Sequence, residues 1–227
     1  MQYIKKNNKE PDDWNDWFTV PPTRRSYDYG TDYSSCPELH LAKSFLIEEQ
    51  NGLCGYCQQK ITVHDSSIEH VTPKEHNKEL STNYFNLIAV CKKQQIQDPF
   101  TKKLHCDSTR GSELIPPIIF YANANSTATG LNKYFKAYST GEVLAKDNLD
   151  AKTKNQVNAF IENLNLNHSV LKNKRAKDIL NGISIAANSV TDKQRFWRAQ
   201  YTRILLNLGH PFREFLLVYI GTKIGLN

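Results

Sequence analysis

Four cysteines of this chain are spaced so that they could meet at one metal ion. Cys54 and Cys57 bracket Gly55 and Tyr56, and Cys91 and Cys106 follow downstream. Two residues between thiolates let both sulfurs point into a single tetrahedral site about 2.3 Å from zinc. Cys91 and Cys106 would complete the set, although a polar stretch, KKQQIQDPFTKKLH, separates them. The competing reading makes Cys91 a small buried hydrophobe and Cys106 a free thiol. His105, beside Cys106, is a rival ligand, and Cys36, in a Pro-rich stretch, stands outside the set. Between the two cysteine pairs lies SIEHVTPKEH, with Glu69 and His70 adjacent. A carboxylate holds a hard cation, and an imidazole takes up a proton near neutral pH. Together they suit metal-assisted phosphodiester hydrolysis: the imidazole removes a proton from the attacking water and the cation stabilises the phosphate. A Glu-His pair alone is common, and a structural His at a strand end is its ordinary explanation.

These residues need elements to position them. In LHLAKSFLIEEQNG, Leu39, Leu41, Phe45 and Leu46 recur at helical spacing and Gly52 closes the pattern, so a helix delivers the chain to Cys54. KITV and SIEHV flank the polar HDSS, which predicts a hairpin with His64 in its turn. Residues 72–90 lack a period and read as loop. There Glu75 and His76 could line a cleft, although composition favours solvation. Residues 1–38, with four prolines, read as an extended arm, and IPPI at 115–118 marks a boundary. The division is therefore 1–38 arm, 39–114 cysteine-bearing core and 115–227 helical region, the last in the same or an associated domain. Within the helical region FKAYSTGEVLAKD could form a small hairpin, and Val157, Ile161 and Leu164 share a helix face. HSVLKNKRAKDILNGI continues the helical period. Thr191 and Gln194 stand at capping-box spacing before a stripe of Trp197, Tyr201, Ile204, Leu205 and Leu208 that ends at Gly209. Pro211 suits the first turn of a last helix whose apolar face is Phe212, Phe215, Leu216, Tyr219 and Ile220. That face is either core or a docking surface.

The balance of charge is +6 with a pI near 9.0, which fits a phosphate-rich partner without demanding one. Mean hydropathy is −0.58 and no run approaches the roughly 20 apolar residues that span a bilayer, so no membrane partner is expected. The N-terminal stretch has no apolar core of a secretory signal, which points to a cytoplasmic address. Five cysteines, an odd number, in such a setting favour metal binding or free thiols over disulfides.

In order along the chain, CGYC, EHVTP, NLIAVC and CDSTRG resemble the motifs of HNH endonucleases with the ββα-metal fold. More narrowly, EEQNGLCGYC, IEHVTPKEH, HCDSTRG and LNLNHSVLKNKR resemble the HNH nuclease subunit of Septu-type and retron-associated anti-phage systems, over roughly residues 40–181. The resemblance implies an α+β, mostly α-helical fold: a zinc-stabilised ββα-metal core with a C-terminal helical region. It implies His70 as general base and Glu69 as a ligand of a catalytic magnesium or manganese ion. It implies Asn86, with Asn83 as alternative, orienting the loop that carries His70. Asp107 occupies the slot where the family places an Asn or His metal ligand, and Arg110, where Lys is usual, would contact phosphate. Structural zinc on Cys54, Cys57, Cys91 and Cys106 belongs to the same pattern. The partners implied are nucleic acid, an ABC/SMC-like ATPase subunit and, in retron systems, a reverse transcriptase with its RNA–DNA product. Substrate stays open between DNA and RNA, tRNA included, since nothing in the motif reads the 2′-OH. Lys92, Lys93, Lys102 and Lys103 could bear on that choice, with solvation their default role. The competing function is a zinc-stabilised nucleic-acid adaptor whose Glu-His pair is vestigial.

Overall fold

The computed structural model describes residues 39–92, 96–114 and 133–226, together with Ile4, Lys6 and Glu10, the side chains of residues 39, 40, 178 and 179 excepted. Most of the expected arm, Cys36, Lys93 and the expected boundary at 115–118 lie outside the described residues. Ile4 and Lys6 do not trail away from the molecule: both are fully buried. Lys6 Nζ lies 3.1 Å from Glu49 Oε2 and sits over the Tyr84 ring.

Helix α1, Leu39–Glu49, comes first. Its period is as expected but its phase is not. Ala42, Leu46 and Gln50, four residues apart, are buried, whereas Leu41 and Phe45 are exposed. Two left-handed residues, Asn51 and Gly52, end it, and Gly52 N–H closes back on Ile47 O at 2.8 Å. Gln50 then holds the next layer. Its amide donates to Leu53 O and Ala89 O and accepts from Ala89 N–H, all within 2.8 Å.

The expected hairpin between KITV and SIEHV does not form. Asp65 Oδ1 accepts from both the backbone N–H and the hydroxyl of Thr62, and Ser66 Oγ donates to Thr62 O, which curls 62–66 into a tight turn. Strand β1, Ser66–His70, pairs instead antiparallel with β2, Leu87–Cys91, in the register Glu69↔Ile88 and His70↔Leu87. β2 lies almost wholly within the stretch expected to be loop. Its five residues, LIAVC, are all buried, so it shows no alternation to read. Two short 3₁₀ turns, Lys78–Thr82 and Tyr84–Asn86, lead into it. A four-residue helix α2, Asp107–Arg110, follows Cys106.

Beyond residue 133 the small hairpin is present: β3, Phe135–Ala137, pairs with β4, Val143–Ala145. Gly141 in its turn has φ +81°, and a Cβ there would lie 2.1 Å from Lys172 O, so only glycine fits. Helix α3, Ala151–Asn163, buries Val157, Phe160 and Ile161 and is capped by Asp150, which accepts from Thr153 N–H. Helix α4, Ser169–Asn173, widens into a π-type segment, Lys174–Leu180, before α5, Asn181–Asn188. Helix α6 spans Lys193–Leu206, and its N-cap is Asp192, accepting from Arg195 N–H, rather than Thr191. Trp197 and Ile204 face inward from it, while Leu205 and Leu208 of the expected stripe are exposed. Helix α7, Arg213–Lys223, buries every residue from Phe215 to Gly221, so its apolar face is core, not a docking surface. Pro211 precedes that helix; the N-cap is Phe212, in a left-handed conformation. One apolar cluster runs from Ile4 through β2 to α3 and α7. Among the described residues the fold is mostly helical, and no helix is long and apolar enough to cross a membrane.

Candidate metal centre and catalytic site

The four cysteines converge. Their sulfurs all lie within 4.8 Å of one another and all four residues are buried. Cys54 and Cys57 come from the turn after α1, Cys91 from the end of β2 and Cys106 from the entry to α2. Sγ of Cys54 is 3.9 Å from that of Cys106, and Sγ of Cys57 is 3.8 Å from that of Cys91. A zinc ion with four sulfurs at 2.3 Å in a tetrahedron requires sulfur separations of about 3.8 Å. The cluster therefore has the donor type, number and spacing to hold such an ion. Burial opposes ionisation of Cys54, yet the thiols of Cys106, Cys57 and Cys91 and the Cys91 backbone N–H point at its sulfur and hold it well below the usual thiol range. Burial drives Cys106 the other way. The rival ligand, His105, lies beside the sulfurs, with Nδ1 3.4 Å from Cys106 Sγ and its ring edge-on to His168. Burial and the neighbouring His168 hold His105 down to about 4.

Tyr56, inside the Cys-Gly-Tyr-Cys turn, carries this centre toward the Glu-His pair. Its hydroxyl, buried and pushed far up by desolvation, donates to Glu69 Oε1 at 3.1 Å. Arg110 completes the contact. Its Nη1 donates to Tyr56 OH, Glu69 Oε1 and His70 O, its Nη2 to Val71 O and its Nε to Glu113 O, all between 2.5 and 2.8 Å. Arg110 is only 2% exposed. It does not present its guanidinium to a phosphate, as the resemblance implied; it clasps the backbone after Glu69 from inside. The physical reason is that the carbonyls of residues 70 and 71 leave the β-ladder inside the fold and need a donor.

Glu69 is held up to about 8, first by burial, then by the negative Asp107 beside it, with Arg110 opposing. Asp107 opens α2, and its Oδ2 is 3.5 Å from Ser67 Oγ. Two half-buried carboxyl groups thus lie close together, which pushes Glu69 up even though Arg110 pairs with it. His70 faces elsewhere, as the next residue on a strand must. Its Nε2 lies 2.9 Å from Ser81 O. A carbonyl only accepts, so Nε2 carries the proton and Nδ1 is the basic nitrogen. Burial lowers the pKa of His70 from its usual value. Asn86 ties the segment after it: Oδ1 accepts from Thr72 N–H at 2.8 Å, and Nδ2 donates to Thr72 O and Leu80 O. Asn83, the alternative, caps the 3₁₀ turn of residues 84–86. Glu75 is exposed; His76 is exposed too, with Nε2 2.9 Å from Ser112 O, and His64 sits exposed in the 62–66 turn. Lys92, Lys102 and Lys103 are exposed.

Three groups that sequence reasoning passed over weld the site to the helices. Asp98 accepts from the N–H groups of Ser169, Phe100 and Thr101, which outweigh its burial and hold its carboxyl well below the usual range. Asn165 donates to Leu104 O, and Cys106 N–H donates to Leu164 O. Buried Arg175 donates to Gly141 O and Leu166 O and stands over the rings of Phe212 and Phe215. Asn165 and Arg175 lie in the run LNLNHSVLKNKR and Asp98 in the polar stretch between Cys91 and Cys106; nothing in either marks these contacts, which depend on distant backbone groups. Among the described residues, the four cysteines form the one cluster of three or more metal-ligating side chains. No protein-family model and no curated protein matches the chain at a significant level, so its residues and their geometry carry the functional reading.

Proposed function

We propose that this chain is a nucleic-acid-acting module folded around a four-cysteine zinc centre, and that it hydrolyses phosphodiester bonds as an HNH endonuclease. The observation that carries the reading is the state of His70. It is buried on a strand end, its Nε2 proton is directed to the Ser81 carbonyl, which makes Nδ1 the basic nitrogen of the neutral ring, and its following loop is laced by Asn86. Nδ1 takes a proton from the attacking water as the bond from phosphorus to the leaving oxygen breaks. Glu69 and Asp107 fit a hard cation, since magnesium is commonly held by one or two carboxylates with water and substrate phosphate filling the rest. Magnesium or manganese bound there would stabilise charge on the phosphate and the leaving oxygen. Arg110 fixes the backbone from which Glu69 and His70 project. The order CGYC, EHVTP, NLIAVC, CDSTRG, with β1, β2 and α2 in that sequence, supports the ββα-metal assignment and, through the Septu and retron resemblance, an anti-phage effector working with an ATPase subunit.

One observation favours a second reading. Glu69 is already ion-paired with buried Arg110, and its carboxylate partner Asp107 brings the oxygen donors to two side chains. A non-catalytic zinc-stabilised nucleic-acid adaptor would be built the same way. Labelled DNA and tRNA, incubated with zinc-loaded wild type or His70→Ala in magnesium or in calcium, separate the two. Magnesium-dependent cutting that His70→Ala abolishes, with binding intact, is the expected result. Binding without cutting by either protein, with and without the ATPase subunit, favours the adaptor. Equal cutting by both removes His70 as the base.

A further inference from the structure

The charge of this molecule sits at one end. Residues 169–227 hold ten Lys and Arg against three Asp and Glu, whereas residues 1–168 hold nineteen against twenty. The excess of +6 therefore belongs to the helices from α4 onward. Within them α6, KQRFWRAQYTRILL, contains four basic residues and no acidic one. Trp197 and Ile204 turn to the core, and at about 100° per residue Arg195 falls opposite them, with Arg198 and Arg203 on its two flanks. Arg195, Arg198 and Arg203 are exposed. None of their guanidinium groups pairs with another described residue, in contrast to Arg110, Arg175 and Arg213, whose guanidinium groups serve the protein itself.

Beside this face runs a groove of about 480 Å³ between α5 and α6. Ile183, Ala186 and Phe196 give it an apolar wall; Gln200, Arg203 and His210 give it a polar, basic edge. Arg203 belongs to both features. A cationic track that follows a backbone, next to an apolar slot containing an aromatic ring, is the pattern that binds unpaired nucleotides: phosphates meet arginine, and a base enters the slot. A paired base could not enter it.

We infer that α6 and the α5–α6 groove form a binding surface for an unpaired nucleic-acid strand, separate from the Glu69–His70 site. Arg195, Arg198 and Arg203 contact its phosphates and the groove receives a base. The inference rests on the nucleic-acid reading above and names the surface that would hold the strand.

Gly182 supplies an independent handle. A Cβ at this groove-lining position would meet nothing within 4 Å, and its φ is ordinary, so Gly182→Leu fills the groove without disturbing its walls. The test uses the full zinc-loaded chain carrying His70→Ala, so that nothing is cut. Fluorescence anisotropy is read with a labelled DNA strand, an RNA strand of the same sequence and the matching duplex, across a salt series. Replacing Arg195, Arg198 and Arg203 by Gln should weaken strand binding about tenfold or more and lower the log–log salt slope by about two. Gly182→Leu should cost about tenfold for the strand and nothing for the duplex. Melting temperature and zinc content should stay at the parent values in both. DNA and RNA arms that differ identify the natural strand, and either preference supports the surface. Unchanged affinity and slope in the triple variant, when the parent binds, overturn the inference and leave the proposed function standing. Displacement of the strand by polyglutamate at equal charge also overturns it, making the face a dock for an acidic protein. A parent chain that neither binds nor cuts any nucleic acid removes the proposed function and this inference together.

Discussion

Around β1, β2 and α2, side chains meet through directed polar contacts, whereas α6 and α7 meet through apolar faces. In the first region the four sulfurs, the Gln50 amide, the Asn86 amide and the Arg110 guanidinium each join segments distant in sequence. In the second, Trp197, Ile204, Phe215, Leu216 and Ile220 do so by burial. A buried large apolar side chain stabilises by about 1.5–3 kcal/mol and tolerates small shifts of position. A buried donor or acceptor stabilises little on balance but costs its full desolvation when its partner is removed. The first region is thus placed with precision and fails abruptly; the second is tolerant. A candidate catalytic group belongs on the first kind of scaffold.

Metal removal should give the largest difference between the two. Structural zinc can contribute on the order of 10 kcal/mol of folding free energy. Cys54→Ser should lose zinc, and amides of 53–61 and 87–91 should then exchange freely while those of 157–164 and 215–220 stay protected by hydrogen exchange. His105→Ala should keep one zinc per chain by metal analysis, because four sulfurs already complete the tetrahedron. Simultaneous loss of protection in both sets would break the comparison: the Asp98, Asn165 and Arg175 contacts would then make a single cooperative unit.

Arg110 comes next. Arg110→Met removes the guanidinium from the carbonyls of His70, Val71 and Glu113 and leaves Glu69 the Tyr56 hydroxyl in place of an ion pair. Breaking a buried ion pair in this way costs about 3–5 kcal/mol, and urea unfolding of the zinc-loaded protein should show it. Arg110→Lys restores the charge but not the fork and should recover only part. A loss below about 1 kcal/mol would mean that the clasp is redundant with the metal centre.

The pH dependence of cutting sharpens the same region. On the proposed mechanism His70 would act as a base only when neutral, and burial lowers its pKa. A cation on Glu69 would push in the same direction. The acid limb of the kcat/KM profile should therefore lie below the ordinary histidine value of about 6.5, with activity rising as pH rises through it. An acid limb above that value that moves down as magnesium is raised would report Glu69 losing its proton to the cation; one that does not move would place the titrating base elsewhere.

Periodicity made most helices legible: α1, α3, α6 and α7, and the Gly-turned hairpin of β3 and β4, follow from local residues. What local sequence cannot show is which distant partner a segment takes. The strand partner of SIEH was LIAVC, a run that is apolar throughout and has no period, and not the nearer KITV, which Asp65 bends into a turn. Likewise the residue types of Glu69, His70, Asn86 and the four cysteines were readable, but Tyr56 and the inward turn of Arg110 were not. Both depend on carbonyls at 70 and 71 leaving the ladder, a fact of tertiary geometry. The phase of α1 was lost for a related reason: Ala42 and Gln50 carry little hydrophobic signal, yet they, and not Leu41 and Phe45, are buried.

The smallest expected effect tests the tolerant region by itself. Two residues compete in sequence for the N-cap of α6. Thr191 is three residues before Gln194, the capping-box spacing, and Asp192 is three before Arg195. The structure selects Asp192, whose Oδ1 accepts from Arg195 N–H at 2.9 Å. A carboxylate at a helix start satisfies an open N–H and also meets the positive end of the helix dipole, which a hydroxyl does not. The whole of α6 bears positive side chains, so a negative group at its entry relieves repulsion there as well. Asp192→Ala should cost about 1 kcal/mol in urea unfolding and Thr191→Ala only a few tenths. The Asp192 effect should shrink in high salt, since the cap is exposed and its dipole and charge contributions are screened. A larger cost at Thr191 would mean that α6 starts one residue earlier, while Arg195 and Arg198 keep their angles to Trp197 and Ile204.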